Sequence, residues 1–186
     1  MSNFVPLMYA DRMSSEIVLT VMSKDRPGLV SGLADLVSEN GGNWVESRMA
    51  RLAGAFAGIL RVEVDSTKRE ALISALQQLD GVSVQIADTA GQDAGDNDTS
   101  SRCCSLEVVG QDRPGIVREI SLALGERGVN VEELHTDVSS APMSGEPLFT
   151  ARAQVQLPSN LSEDELLEAL EAIASDLMVE VRLAGC

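Results

Sequence analysis

Asp25-Arg-Pro-Gly-Leu-Val30 returns as Asp112-Arg-Pro-Gly-Ile-Val117, 112 − 25 = 87 residues further along the chain. Outward from this tetrad the same offset lays Leu19 to Glu46 over Leu106 to Glu133 without a gap. Leu19 meets Leu106, Val21 meets Val108, Val30 meets Val117, and Glu39, Gly41, Asn43 and Glu46 meet Glu126, Gly128, Asn130 and Glu133, so with the tetrad eleven positions are identical. Self-similarity at a fixed offset marks a duplicated structural unit.

Each unit has the same order of elements. Glu16 to Met22 and Cys103 to Val109 are rich in aliphatic and β-branched residues and run into a turn, as strands do. At the tetrad, Asp is expected to accept hydrogen bonds from first-turn amides and Pro to sit where a missing N–H costs nothing, so a helix is predicted to start there. Leu29, Val30, Leu33, Leu36 and Val37, matched by Ile116, Val117, Ile120, Ala123 and Leu124, form one apolar stripe. Gly41 and Gly128 follow it, where a left-handed C-terminal cap favours glycine.

A strand is then predicted from about Asn43 to Arg51, or Val129 to Ser139. The next strand alternates inward Phe56, Gly58, Leu60, Val62 and Val64, matched by Phe149, Ala151, Ala153, Val155 and Leu157. The turn before it diverges: Ala141-Pro-Met-Ser-Gly-Glu-Pro147 replaces Ala53-Gly54. A second helix carries Leu72, Ile73, Leu76 and Leu79, or Leu166, Leu167, Leu170 and Ile173. A last strand carries Val82, Val84 and Ile86, or Val179, Val181 and Leu183. The fold class is α+β: two ferredoxin-like βαββαβ domains, each an antiparallel sheet with its helices on one face. Expected boundaries are an arm at 1–15, a first domain at 16–88, a polar linker at 89–102 rich in Gly, Asp and Ser, and a second domain at 103–186.

Lys and Arg number 14 against 29 Asp and Glu, a net charge of 14 − 29 = −15. Proteins that grip nucleic acid neutralise phosphates with clustered Lys and Arg, so direct nucleic-acid binding is not expected. Cys103, Cys104 and Cys186 fit neither a disulfide framework nor metal-ligand spacing. No apolar run approaches the roughly 18 residues of a membrane span, and the opening residues lack the pattern of a secretion signal. A cytoplasmic protein with no membrane association is expected.

A βαββαβ unit that opens with a strand, Asp-Arg-Pro-Gly-(Leu/Ile)-Val, a helix and Gly-x-Asn resembles the ACT domain, over nearly all of residues 16 to 184 and twice. Two such units on an acidic chain resemble ACT regulators of the glycine cleavage system type. The resemblance implies a small amino acid, glycine or similar, bound where two ACT units meet. It sets the site near the strand-to-helix loop of one unit and the second strand of the other, and so places that role on Asp25, Arg26, Pro27, Gly28 and Asn43, and on Asp112, Arg113, Pro114, Gly115 and Asn130. Physical chemistry is compatible with this: helix-start amides favour a carboxylate, glycine lets a ligand reach the backbone, and an Asn carboxamide both donates and accepts. The same residues also read as folding signals, with Asp as cap, Pro-Gly as tight entry and Asn as turn residue.

No nucleophile elbow, phosphate-binding loop or zinc-ligand cluster is present, so no enzyme, cofactor or metal is expected. His135, the single histidine, has no catalytic partner at motif spacing and reads as a strand residue. Cys103 and Cys104 read as structural thiols, and Trp44 as packing at a domain contact. The expected function is indirect transcriptional repression: the protein binds a DNA-bound activator, and an amino acid tunes the contact. The alternatives are an ACT subunit that modulates a metabolic enzyme in trans, or a ligand-free interaction module. Homo-oligomers are expected in each case, because small units leave sheet edges free.

Overall fold

The computed structural model describes residues 14–87, 102–141 and 145–185. The expected arm (apart from Ser14 and Ser15), nearly all of the linker, part of the divergent turn, and Cys186 lie outside them. The chain divides into two compact units.

The first unit runs β1 (Ser14–Lys24), α1 (Leu29–Glu39), β2 (Gly42–Leu52), β3 (Ala55–Asp65), α2 (Arg69–Gln77) and β4 (Val82–Ala87). The second runs β5 (Arg102–Gln111), α3 (Ile116–Gly125), β6 (Asn130–Ser140), β7 (Pro147–Leu157), α4 (Glu163–Leu177) and β8 (Val179–Gly185). Each folds into a four-stranded sheet, ordered β2-β3-β1-β4 and β6-β7-β5-β8. All pairings are antiparallel. These are two ferredoxin-like βαββαβ domains, with the predicted element order in both.

Strand parity sets the two cores. In the first, Ile17, Leu19 and Val21 of β1 and Leu60, Val62 and Val64 of β3 are buried with Leu29, Leu33 and Val37 of α1 and Leu72 and Leu76 of α2. In the second, Cys104, Leu106 and Val108 pack with Phe149, Ala151, Ala153, Val155 and Leu157, beneath Ile116, Ile120, Leu124, Leu166 and Leu170. The edge strands β2 and β6 carry a β-bulge at equivalent points, between Trp44 and Glu46 and between Val131 and Glu133. Ala53 and Gly54 take the two positive φ values, 48° and 81°, of a tight two-residue hairpin turn. Gly41 and Gly128 have φ of 73° and 69°, the left-handed conformation predicted for them.

The helix starts differ from expectation. α1 begins at Leu29 and α3 at Ile116, and the preceding residues, Gly28 and Gly115, have φ of 83° and 102° and no capping side chain. Asp25 and Asp112 are therefore not helix caps. The chain makes a left-handed turn through glycine before the helix, which the Asp-Pro spacing alone does not reveal. Val30 and Val117, placed on the apolar stripe, are 46% and 42% exposed. At i+1 from a buried residue they sit at the stripe's edge, beyond the cover of the sheet.

Candidate functional site

In each domain the tetrad forms the loop from the first strand to the first helix. In the first domain this loop is tied down on two sides. The Asp25 amide donates to the Gly54 carbonyl at 3.0 Å, and the Asp25 carboxylate pairs with Arg51 Nε at 2.6 Å, so the β2–β3 hairpin holds one flank. Arg26 Nη2 donates to the Asp80 carbonyl at 3.0 Å, which fixes the other flank to the turn before β4.

The second domain keeps half of this arrangement. The Asp112 amide donates to the Pro147 carbonyl at 3.0 Å. Val138 lies opposite Phe149 as Arg51 lies opposite Phe56, so among the described residues Asp112 has no counterpart of the Arg51 ion pair. Arg113 Nη2 is buried and has no hydrogen-bond partner among the described residues, whereas its equivalent Arg26 is bonded. Asp25 to Gly28 are exposed, as are Asp112, Pro114 and Gly115, while Arg113 is half-buried.

The two asparagines are not part of these loops. Asn43 stands opposite Glu63 and Asn130 opposite Gln156, near the start of their strands, and both are exposed. Their neighbours Trp44 and Val131 face the core-side residues Val62 and Val155, so the asparagines point to the helix-free face of each sheet. Arg51, which touches Asp25, is 51 − 43 = 8 residues along β2 from Asn43. At about 3.3 Å per residue that is roughly 26 Å. Within one domain the loop and the asparagine thus lie at opposite ends.

The remaining candidates take ordinary places. His135 is exposed and bonds Glu133 at 2.8 Å. Burial pushes the Cys104 thiol pKa up, with neighbouring Glu163 adding to it, the opposite of what a reactive thiolate needs. Cys103 Sγ lies 3.8 Å from Gln154 Oε1 and 4.0 Å from Glu132 Oε2. Trp44, expected at a domain contact, packs half-buried against the core of its own domain. Among the described residues no group of three His, Cys, Asp or Glu is placed to hold a metal ion. No helix among them is long and apolar enough to cross a membrane.

A feature not anticipated from the sequence is a cavity of about 150 Å³ under α3, bounded by that helix and by β5, β6 and β7. Its signal was present in the strand parity, where Ala153 takes the place of Leu60.

The ACT domain family model matches residues 15–86. A protein of unknown function from Galdieria sulphuraria superposes with a TM-score of 0.75 at 29% identity, covering 93% of this chain and 99% of its own. A protein provisionally named a glycine cleavage system transcriptional repressor superposes with a TM-score of 0.66 at 20% identity, covering 94% of this chain and 98% of its own. No curated protein matches the sequence.

Proposed function

We propose that this chain, an ACT domain at residues 15–86 followed by a second domain of the same fold and motif, is an amino-acid-responsive regulator that represses transcription indirectly. It carries no catalysis of its own and acts by binding a DNA-bound activator, as an oligomer in the cytoplasm. The observation that carries this reading is architectural. Two ACT-type units and no third fold account for the described residues, and the likeness to the provisionally named glycine cleavage repressor extends over 94% of this chain and 98% of that one. A net charge of −15 disfavours contact with DNA phosphates and leaves a protein partner as the route to the promoter.

In this reading the tetrad loops, Asp25 to Gly28 and Asp112 to Gly115, receive a small amino acid together with Asn43 or Asn130 of another unit. The 26 Å or so between loop and asparagine within one domain makes the ligand a bridge between units, so occupancy is coupled to how units pair. The test is affinity capture with the full chain as bait, with and without glycine, followed by operator binding. Capture of a transcriptional activator, in an amount that changes with glycine, is the expected result. Binding to operator DNA by the purified chain alone at physiological salt would sink the indirect mechanism, and capture of a metabolic enzyme instead would move the role to a subunit acting in trans.

A further inference from the structure

The cavity under α3 is lined by side chains that differ between the two domains. Its walls are Leu106, Ile120, Leu124, Phe149, Ala151 and Ala153, and Ser121 is the sole hydroxyl among its lining residues. The helix residues Val117 and the β6 residues Val131 and Leu134 also line it and are 42%, 37% and 47% exposed, so the cavity opens to the surface between α3 and β6.

Comparison with the first domain shows how the space arises. Leu60 pairs with Leu19 and Ala153 with Leu106, Leu19 and Leu106 being matched in the repeat, so Ala153 replaces a fully buried leucine. Trp44, opposite Val62, becomes Val131, opposite Val155, and Leu36 becomes Ala123 at the repeat offset. Ala151 for Gly58 and Leu134 for Ser47 change in the other direction and leave about 150 Å³ open. A cavity of that size with apolar walls accepts a benzene ring in other proteins, whereas an ordered water needs about two to four polar partners. One serine cannot supply them. Ile116 and Val117, two of the lining residues, directly follow the second tetrad, so the cavity adjoins the loop already proposed to receive an amino acid.

We infer that the second domain binds the aliphatic or aromatic side chain of a free apolar amino acid in the cavity between α3 and its sheet. This rests on the amino-acid-responsive reading and changes its ligand, since glycine has no side chain to bring there. Burial of the ligand's hydrocarbon against these walls drives binding, and the first domain, with Leu60 and Trp44 in the corresponding positions, does not offer the same space.

The test is the melting temperature of the full chain with L-leucine, L-phenylalanine, glycine, or benzene as a probe without charged groups, in the natural protein and in Ala153→Leu. The expected result is a rise of about 5 °C or more with leucine or phenylalanine at one hundred times its Kd. That rise should vanish in Ala153→Leu while the variant itself melts no lower than the natural protein. If Ala153→Leu does not fold, Val131→Trp, which restores the first domain's residue at the mouth, is measured instead. No response to leucine or phenylalanine overturns the inference, even if benzene enters. A response that survives both substitutions overturns it as well. A response to glycine alone, unchanged by Ala153→Leu, overturns it yet leaves the proposed function standing; leucine binding without capture of an activator does the reverse.

Discussion

The first domain seals its core with Leu60 and packs Trp44 and Met49 against it; the second, under an identical strand order, leaves its equivalent region open beneath α3. The same division appears at the tetrad, where Asp25 is held by Arg51, whereas Val138 stands at the equivalent strand position in the second domain and Asp112 has no such ion pair among the described residues. It appears again at the second helix. α4 begins with a reciprocal capping box, in which Ser162 and Glu165 bond each other's backbone amides, while α2 begins at Arg69 and the residue before it, Lys68, makes no side-chain cap. Topology and the tetrad's turn are held in common, whereas core volume and end chemistry differ. Strand parity and glycine geometry therefore specify this fold, and the detailed filling of the core is free to diverge.

The comparison can be broken most forcefully by making the first domain resemble the second. Leu60 is fully buried, and Leu60→Ala is expected to cost about 2–4 kcal/mol in urea unfolding of the full chain. A loss below about 1 kcal/mol would show that the first core has slack of its own, and the contrast with the cavity would dissolve. Next come Gly28→Ala and Gly115→Ala, both at positive φ. Each should cost about 1–2 kcal/mol, and equally in the two domains, since the left-handed turn is shared.

Ser162→Ala sharpens the difference between the second helices, with an expected cost of about 1 kcal/mol confined to the second domain. It also carries a pH signature. Hydrogen bonds from the Ser162 side chain and amide hold the Glu165 carboxyl below its usual range. A depressed carboxylate stabilises the fold above its unfolded pKa, and that contribution is lost as pH falls through the lower folded value. The natural protein should thus lose more stability than Ser162→Ala on acidification below about pH 4; parallel acid limbs would show that the box is not formed in solution. The smallest effect belongs to Asp25→Asn, which breaks a solvent-exposed ion pair. About 0.5 kcal/mol or less is expected, with no measurable loss in Asp112→Asn.

Much of this architecture was legible in the residues. Gap-free repetition, period-two alternation in β3 and β7, and glycines at Gly41 and Gly128 mark strand order and helix ends because each follows from local geometry. The helix starts were not legible. Asp-x-Pro-Gly satisfies the composition of a cap, and only the φ of Gly28 and Gly115 shows that the turn runs through glycine. Trp44 could not be placed from its neighbours, since the bulge after it alters which residues of β2 face the core. The cavity escaped because alanine at position 153 keeps the apolar parity while removing volume, and pattern alone does not measure volume. For the candidate site, resemblance groups the asparagines with the tetrads, loop of one unit with second strand of another, whereas the Arg51 contact to Asp25 was not legible because Val138 stands at the equivalent place in the repeat.

The paired bulges in β2 and β6 give the molecule a relative chronology. A one-residue interruption in two strands at the same point is most simply inherited from a single ancestral unit, as are the two Asp-Arg-Pro-Gly turns. Arg51 against Val138, Lys68 against Ser162 and Leu60 against Ala153 then record what happened after the copying. In this order, the ancestral unit possessed a left-handed glycine turn and a bulged edge before one descendant gained or kept a closed core and the other an open one.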